Sequence, residues 1–106
     1  MSWIYLFIAG LLEIGWPLGM KLSQTTHYKT SWIVFSVICM AGSGYFLWLA
    51  QKNIPMGTAY AIWTGIGALG AFTFGILMFK DPVNTWRMVS AMLIIMGIVG
   101  LKLTSG

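Results

Sequence analysis

Four long apolar stretches, separated by three short polar segments, make up the chain. The stretches cover Ser2–Leu22, Ser31–Ala50, Thr58–Phe79 and Thr85–Leu103. Each has the length of roughly 20 residues that an α-helix needs to cross a bilayer core of about 30 Å. The breaks read SQTTHYKT, QKNIPMG and KDPVN, which are polar and turn-forming. The pattern predicts an all-α membrane protein with four transmembrane helices, forming a single domain over residues 1–106.

Short breaks reverse the chain between neighbouring helices. We therefore expect an up-down-up-down arrangement with both termini on one side of the membrane. Charged residues make up 8% of the sequence and apolar residues 58%, whereas soluble domains usually contain roughly 25% charged residues. A soluble domain of this size cannot cover so much apolar surface, so the composition excludes that class.

The distribution of charge and the single cysteine exclude two kinds of partner. Six lysines and arginines give a net charge of +4, and they lie singly at or near the ends of the apolar stretches. That placement is typical of interfacial anchors, whereas nucleic-acid binding needs clustered cations, so we expect no nucleic-acid partner. Cys39 is the only cysteine, and no cysteine or histidine spacing indicates a metal site. No metal or other cofactor is expected.

The cations divide almost equally between the two membrane faces. Lys52, Lys102 and the α-amino group lie on the face of the termini, and the other face carries Lys21, Lys29, Lys80 and Arg87. Because orientation follows an excess of Lys and Arg on one side, this chain can insert both ways, which permits an antiparallel, dual-topology homodimer. Ser90 and Gly97 lie seven residues apart on one face of the fourth helix. Small residues at such spacing favour close helix packing in lipid, unless they are incidental.

One acidic side chain lies inside an apolar stretch. Asp81 falls in the third break, whereas Glu13 lies near the middle of the first helix and so near the centre of the bilayer. A charged carboxylate at that depth costs about 3 kcal/mol even on lenient insertion scales, and such residues usually face a cavity on an ion pathway. A neutral, hydrogen-bonded carboxyl that serves packing is the alternative.

The residues around Glu13 on its own helix favour a binding site. Ala9 and Gly10, one turn earlier, are expected to leave space beside the carboxylate, and Trp16, three residues later, supplies an aromatic wall. Pro17 cannot donate to the carbonyl of Glu13. We expect a kink there and a carbonyl that needs a partner, water or a cavity.

Two further helices contribute to the predicted site. Tyr60, Trp63 and Gly67 share one face of the third helix, and aromatic faces beside a carboxylate bind cations. The alternative for the two aromatic residues is interfacial anchoring and core packing. Gly65 and Gly67 weaken the third helix and predict a bend. Ser43, midway along the second helix, is placed to hydrogen-bond the carboxylate or, alternatively, a carbonyl in its own helix.

These residues together describe a site for a small organic cation. A buried carboxylate holds either a proton or a cation, but not both well, and that competition is the basis of proton-coupled antiport. We therefore interpret the chain as a secondary transporter. A passive channel or a non-transporting membrane subunit is the alternative, although an intramembrane acid disfavours the subunit. An enzyme is not expected, because no second intramembrane titratable group accompanies Glu13.

Five segments match a known family. They are AGLLE at 9–13, Lys21 closing the first helix, PMGTAYAIW at 55–63, GIGA at 65–68 and GIVGLK at 97–102. With them, the chain resembles the small multidrug resistance family over essentially its whole length. The resemblance implies a proton-coupled exporter of the bacterial inner membrane, working as an antiparallel dimer in which two copies of Glu13 share one site.

Within that family, Trp16 and the segment WTGIGA at 63–68 are similar to the guanidinium-exporter subtype. The resemblance implies export of guanidinium and small guanidinyl cations, with Gly10, Trp16, Ser43, Tyr60 and Trp63 lining the site. A broad exporter of quaternary ammonium and other drug cations is the alternative within the family. Pro17 and the segment 42–44 depart from the subtype pattern; both could soften or widen the site and admit substituted guanidines or small hydrophobic quaternary ammonium ions.

Overall fold

A computed structural model describes residues 1–104 of the chain. Its helices are α1 (Ser2–Thr25), α2 (Lys29–Ala50), α3 (Met56–Phe79) and α4 (Thr85–Thr104). Each of the four is long and apolar enough to cross a membrane. The prediction of an all-α protein with four membrane-spanning helices is confirmed.

The helices extend beyond the apolar stretches that predicted them. α1 continues past Leu22 to Thr25, and the N–H of Thr26 donates to the carbonyl of Leu22 at 3.0 Å. α3 begins at Met56, and the carbonyl of Pro55 accepts the N–H of Ala59 at 2.9 Å. Apolar patterning marks the part of a helix that faces hydrocarbon, whereas backbone hydrogen bonding continues among polar residues at the interface.

The turn between α3 and α4 is fixed by capping contacts. Lys80 adopts a left-handed conformation with φ of 57°, and the N–H groups of Lys80 and Asp81 both donate to the carbonyl of Gly75. Asn84 then caps α4, because its Oδ1 accepts the N–H of Arg87 at 2.9 Å. These contacts hold the start of α4 close to the end of α3.

The helices pack in a thin slab. α1 packs along both α2 and α3, and among the described residues the backbone of α4 comes close to that of α3 alone. The Lys102 ammonium of α4 also lies 4.5 Å from the centroid of the Trp3 ring on α1. The principal extents are 45 × 35 × 16 Å, and a helix with its side chains is about 10–12 Å across. Most of α4 is therefore exposed, and no residue of that helix is buried.

A small apolar core closes one end of the slab, beside the N-terminus of α1. Its buried members are Leu6, Ala50, Ile54, Ala59 and Ile62. They join the start of α1 to the end of α2 and the start of α3. This core sets the register of α1 against α3 about two turns before Glu13.

Candidate functional site

Glu13 lies in the contact between α1 and α3. Its side chain packs on Gly67 of α3, and a Cβ added at Gly67 would overlap the Cγ of Glu13. Glu13 is half-buried, whereas Gly67 is buried. Glycine at position 67 is thus what allows a carboxyl side chain to lie between the two helices at mid-membrane depth.

The same alternation of large and small residues continues on both sides of Glu13. One turn earlier, a Cβ added at Gly10 would come within 2.7 Å of Ile66. One residue later, Ile14 packs on Gly70 so closely that a Cβ there would overlap it. The space that the sequence predicted beside Gly10 is therefore filled by Ile66. A glycine at a helix contact leaves room that a side chain of the neighbouring helix can occupy as well as a ligand can.

A chain of hydrogen bonds links three helices beside Glu13. The hydroxyl of Ser43 on α2 donates to the carbonyl of Ala9 on α1 at 2.7 Å. The indole Nε1 of Trp63 on α3 donates to the oxygen of Ser43, also at 2.7 Å. Since the single hydroxyl proton goes to Ala9, Ser43 does not donate to the Glu13 carboxylate, as the sequence had suggested, nor to a carbonyl of its own helix.

The hydrogen bond from Trp63 fixes an aromatic wall. Trp63 precedes Gly67 by one helical turn, so its indole lies on the same face of α3 as the Glu13 contact. The rings of Tyr60 and Trp63 have centroids 5.2 Å apart and planes inclined at 34°. Tyr60 is 55% exposed, and its exposed ring extends the wall away from Glu13 toward the membrane interface.

Trp16 and Pro17 lie on the other side of Glu13 along α1. Trp16 is half-buried, and its carbonyl accepts the hydroxyl of Ser36 on α2 at 2.9 Å. α1 is one continuous helix through Pro17, so the predicted kink does not interrupt it. Trp16 lies one turn from Glu13 on the same helix, and its role as an aromatic wall of the site stays a prediction.

The two glycines of α3 that were predicted to form a bend serve different interfaces. Gly67 faces α1, whereas Gly65 faces α4, where a Cβ would come within 2.8 Å of Ile98. α3 is a single helix through both positions, and the bend stays a prediction. On α4, Ser90 and Gly97 are exposed, and a Cβ added at Gly97 would meet no heavy atom of residues 1–104 within 4 Å.

Sequence reasoning missed the second buried serine of α2. Ser36 and Ser43 are seven residues apart and 2% and 0% exposed, and each donates to a carbonyl of α1. Two serines at heptad spacing in an apolar helix are a recognisable signal for interhelical hydrogen bonds. The contact of Ile66 with Gly10 could not be found in this way, because it depends on the register of α1 against α3.

Fold and site together define a multi-pass membrane protein built around one acid within the membrane. Residues 1–94 match the family model described as Small Multidrug Resistance protein. The chain belongs to the small multidrug resistance family, whose description and relatives indicate a membrane transporter of small molecules.

Individual relatives match along almost the full chain. A Proteus vulgaris protein named guanidinium exporter is 49% identical over 105 residues, which cover 99% of this chain and 100% of that protein. Proteins of the same name from Salmonella typhimurium and Escherichia coli K12 are 47% and 43% identical, with 99% of each chain covered. The similarity therefore includes all four helices.

Proposed function

We propose that the chain exports guanidinium and small guanidinyl cations across the bacterial inner membrane in exchange for protons, with Glu13 binding both. The observation that carries this proposal is the position of Glu13 on Gly67, one turn along α3 from Trp63, whose indole is held by a hydrogen bond. Guanidinium is planar and can donate two parallel hydrogen bonds to a carboxylate. The relatives named guanidinium exporters support that class of substrate.

The physical setting of Glu13 supports proton coupling. A bare carboxylate inside the membrane is costly, so it is stabilised by a proton or by a cation. One carboxylate cannot bind a proton and a guanidinium cation well at the same time. Binding of the cation therefore releases the proton, and protonation releases the cation. Trp63 and Tyr60 offer aromatic faces that stabilise the cation further, an effect of about 1–2 kcal/mol when it is desolvated.

The proposed working unit is an antiparallel homodimer. α4 has no buried residue, and its exposed side carries Ser90 and Gly97 at the spacing that favours helix contact in lipid. A second copy packed on this side would enclose space that one thin slab cannot enclose alone. The two copies of Glu13 would then face one shared site.

Transport in liposomes tests the function. Purified protein should take up radiolabelled guanidinium when an opposing proton gradient is imposed, and Glu13→Gln should reduce uptake to the level of protein-free vesicles. Asp81→Asn is the matched control, since it removes the other acid, which lies in the turn after α3, and it should retain uptake. Gradient-driven uptake by the Glu13→Gln protein would contradict the mechanism.

The same vesicles separate the alternatives. A broad drug exporter would transport a bulky quaternary ammonium ion as fast as guanidinium, whereas the proposal expects guanidinium to be preferred. A passive channel would conduct guanidinium without moving protons, which a pH-sensitive dye inside the vesicles would show. A non-transporting subunit would give no substrate-dependent signal.

Labelling in intact cells tests the dual topology. In a Cys39→Ala background, a cysteine introduced by Lys80→Cys lies in the turn between α3 and α4. A thiol reagent that cannot cross the membrane should label about half of the molecules, since half would have this turn outside. Complete labelling, or none, would show a single orientation.

A further inference from the structure

A cavity lies between α3 and α4, away from Glu13. Its volume is about 340 Å³. Most of its lining is apolar, and the polar members come from the first two turns of α4. The lining residues are Ala68, Leu69, Phe72, Arg87, Ser90, Ala91 and Ile94.

Arg87 is held in this cavity by an aromatic contact. Its guanidinium carbon lies 5.0 Å from the centroid of the Phe72 ring, which fixes the cation against α3. Its Nε is buried and has no hydrogen-bond partner among residues 1–104. A buried donor on a charged group that lacks an acceptor is destabilising. Because the chain itself covers Nε, an acceptor from outside would pair with the terminal nitrogens of the guanidinium group.

The chain cannot readily supply that acceptor from its acids. Its two acids are Glu13 and Asp81; Glu13 packs on Gly67 and Asp81 packs back on Gly75. In an antiparallel dimer, Asp81 of a second copy would lie at the opposite membrane face. Arg87 also occupies the first turn of α4, where the helix dipole disfavours a cation and favours an anion beside it.

We propose that Arg87 and this cavity bind an anionic phospholipid. Arg87 is near the start of a membrane-spanning helix and hence at the depth of the lipid headgroups. The phosphate accepts hydrogen bonds from the guanidinium, and the first part of one acyl chain packs against Leu69, Phe72 and Ile94. A free phosphate ion would fill only the polar end of the cavity. Ser90 borders both this cavity and the proposed dimer contact, so in an antiparallel dimer the two lipid sites would lie at the edge of the contact between the copies, one in each leaflet.

Native mass spectrometry of the purified protein with added phosphatidylglycerol tests the site. Arg87→Gln should weaken retention of the lipid roughly tenfold, because a charge-assisted pair is lost, and Arg87→Lys should give an intermediate value. Lys80→Gln is the matched control, since it removes a cation at the same membrane face but outside the cavity, and it should retain the lipid. Equal weakening by Arg87→Gln and Lys80→Gln would show unspecific attraction to charge and overturn the proposal.

Two further arms identify the ligand. Ala91→Leu narrows the cavity while keeping Arg87, and it should also weaken retention of phosphatidylglycerol; unchanged retention would contradict a role for the cavity. Phosphatidylcholine, which has no net charge, should bind more weakly than phosphatidylglycerol at equal concentration. Displacement of the lipid by millimolar inorganic phosphate would instead indicate a site for free anions. Circular dichroism checks that each variant is folded, and Arg87→Lys decides the question if Arg87→Gln is not.

Discussion

Ser43→Ala is expected to destabilise the packing around Glu13 about twice as much as Ser36→Ala. Ser43 takes part in two interhelical hydrogen bonds, with Ala9 and Trp63, each of 2.7 Å. Ser36 makes one, of 2.9 Å, to the carbonyl of Trp16. Both serines are buried on α2 and face α1, so the changes in helix propensity and in buried volume largely cancel between the two variants.

The magnitude follows from the number of bonds. Interhelical hydrogen bonds in membrane proteins average about 0.6 kcal/mol and reach about 1.7 kcal/mol. Ser43→Ala should therefore lower the free energy of unfolding by about 1.2 kcal/mol, and Ser36→Ala by about 0.6 kcal/mol. Trp63→Phe removes the bond to Ser43 and also part of the packing of the indole. A double-mutant cycle between these two positions cancels the packing loss and should give a coupling of about 0.6 kcal/mol.

Reversible unfolding by sodium dodecyl sulfate in mixed micelles measures these differences. Far-UV circular dichroism is the appropriate signal, because Trp63→Phe changes the fluorescence. The reasoning is refuted if the two serine variants lose equal stability and the cycle between Ser43→Ala and Trp63→Phe shows no coupling. That result would mean that Trp63 is not oriented by Ser43 in the folded protein.

Three more substitutions probe separate contacts. Gly67→Ala should slow guanidinium uptake into liposomes roughly tenfold or more by displacing Glu13, whereas Gly44→Ala, whose methyl meets open space, should leave it nearly unchanged. Asn84→Ala should cost about 1 kcal/mol of stability in detergent unfolding through loss of the α4 cap, and Asn84→Asp should not. Pro17→Ala restores a donor to the Glu13 carbonyl and should add about 1 kcal/mol of stability; a less stable variant would show that packing of the proline ring dominates.

The helices were predictable because the bilayer imposes a length on each apolar stretch. Hydrocarbon cannot satisfy backbone groups, so an apolar run of about 20 residues has one solution, a helix. Glu13 stood out for the same reason, since few sequence features are as costly as a carboxylate at mid-membrane depth. The helix ends were less certain, because polar residues such as Thr25 continue α1 without any apolar signal.

The contacts of the site were harder to predict because they depend on helix register. Gly10 was expected to border open space, yet Ile66 fills it. Ser43 was expected beside the carboxylate, yet it bonds the carbonyl of Ala9. In each case the residue type indicated that the position packs closely or forms a hydrogen bond. It did not indicate the contacting residue, because a contact on another helix is fixed by tertiary packing rather than by the local sequence.

The packing around Glu13 gives the proposed binding event a route to the rest of the molecule. Glu13 is one of a series of side chains on α1 and α3 that fit onto glycines of the opposite helix, so a change in the position of its carboxyl group presses on the contact with Gly67. Packed helices respond to such a change by shifting as units rather than by deforming continuously. α3 in turn receives Ile98 of α4 at Gly65. If binding at Glu13 moves α3, this contact would carry the movement to α4, the helix that we propose joins the two copies.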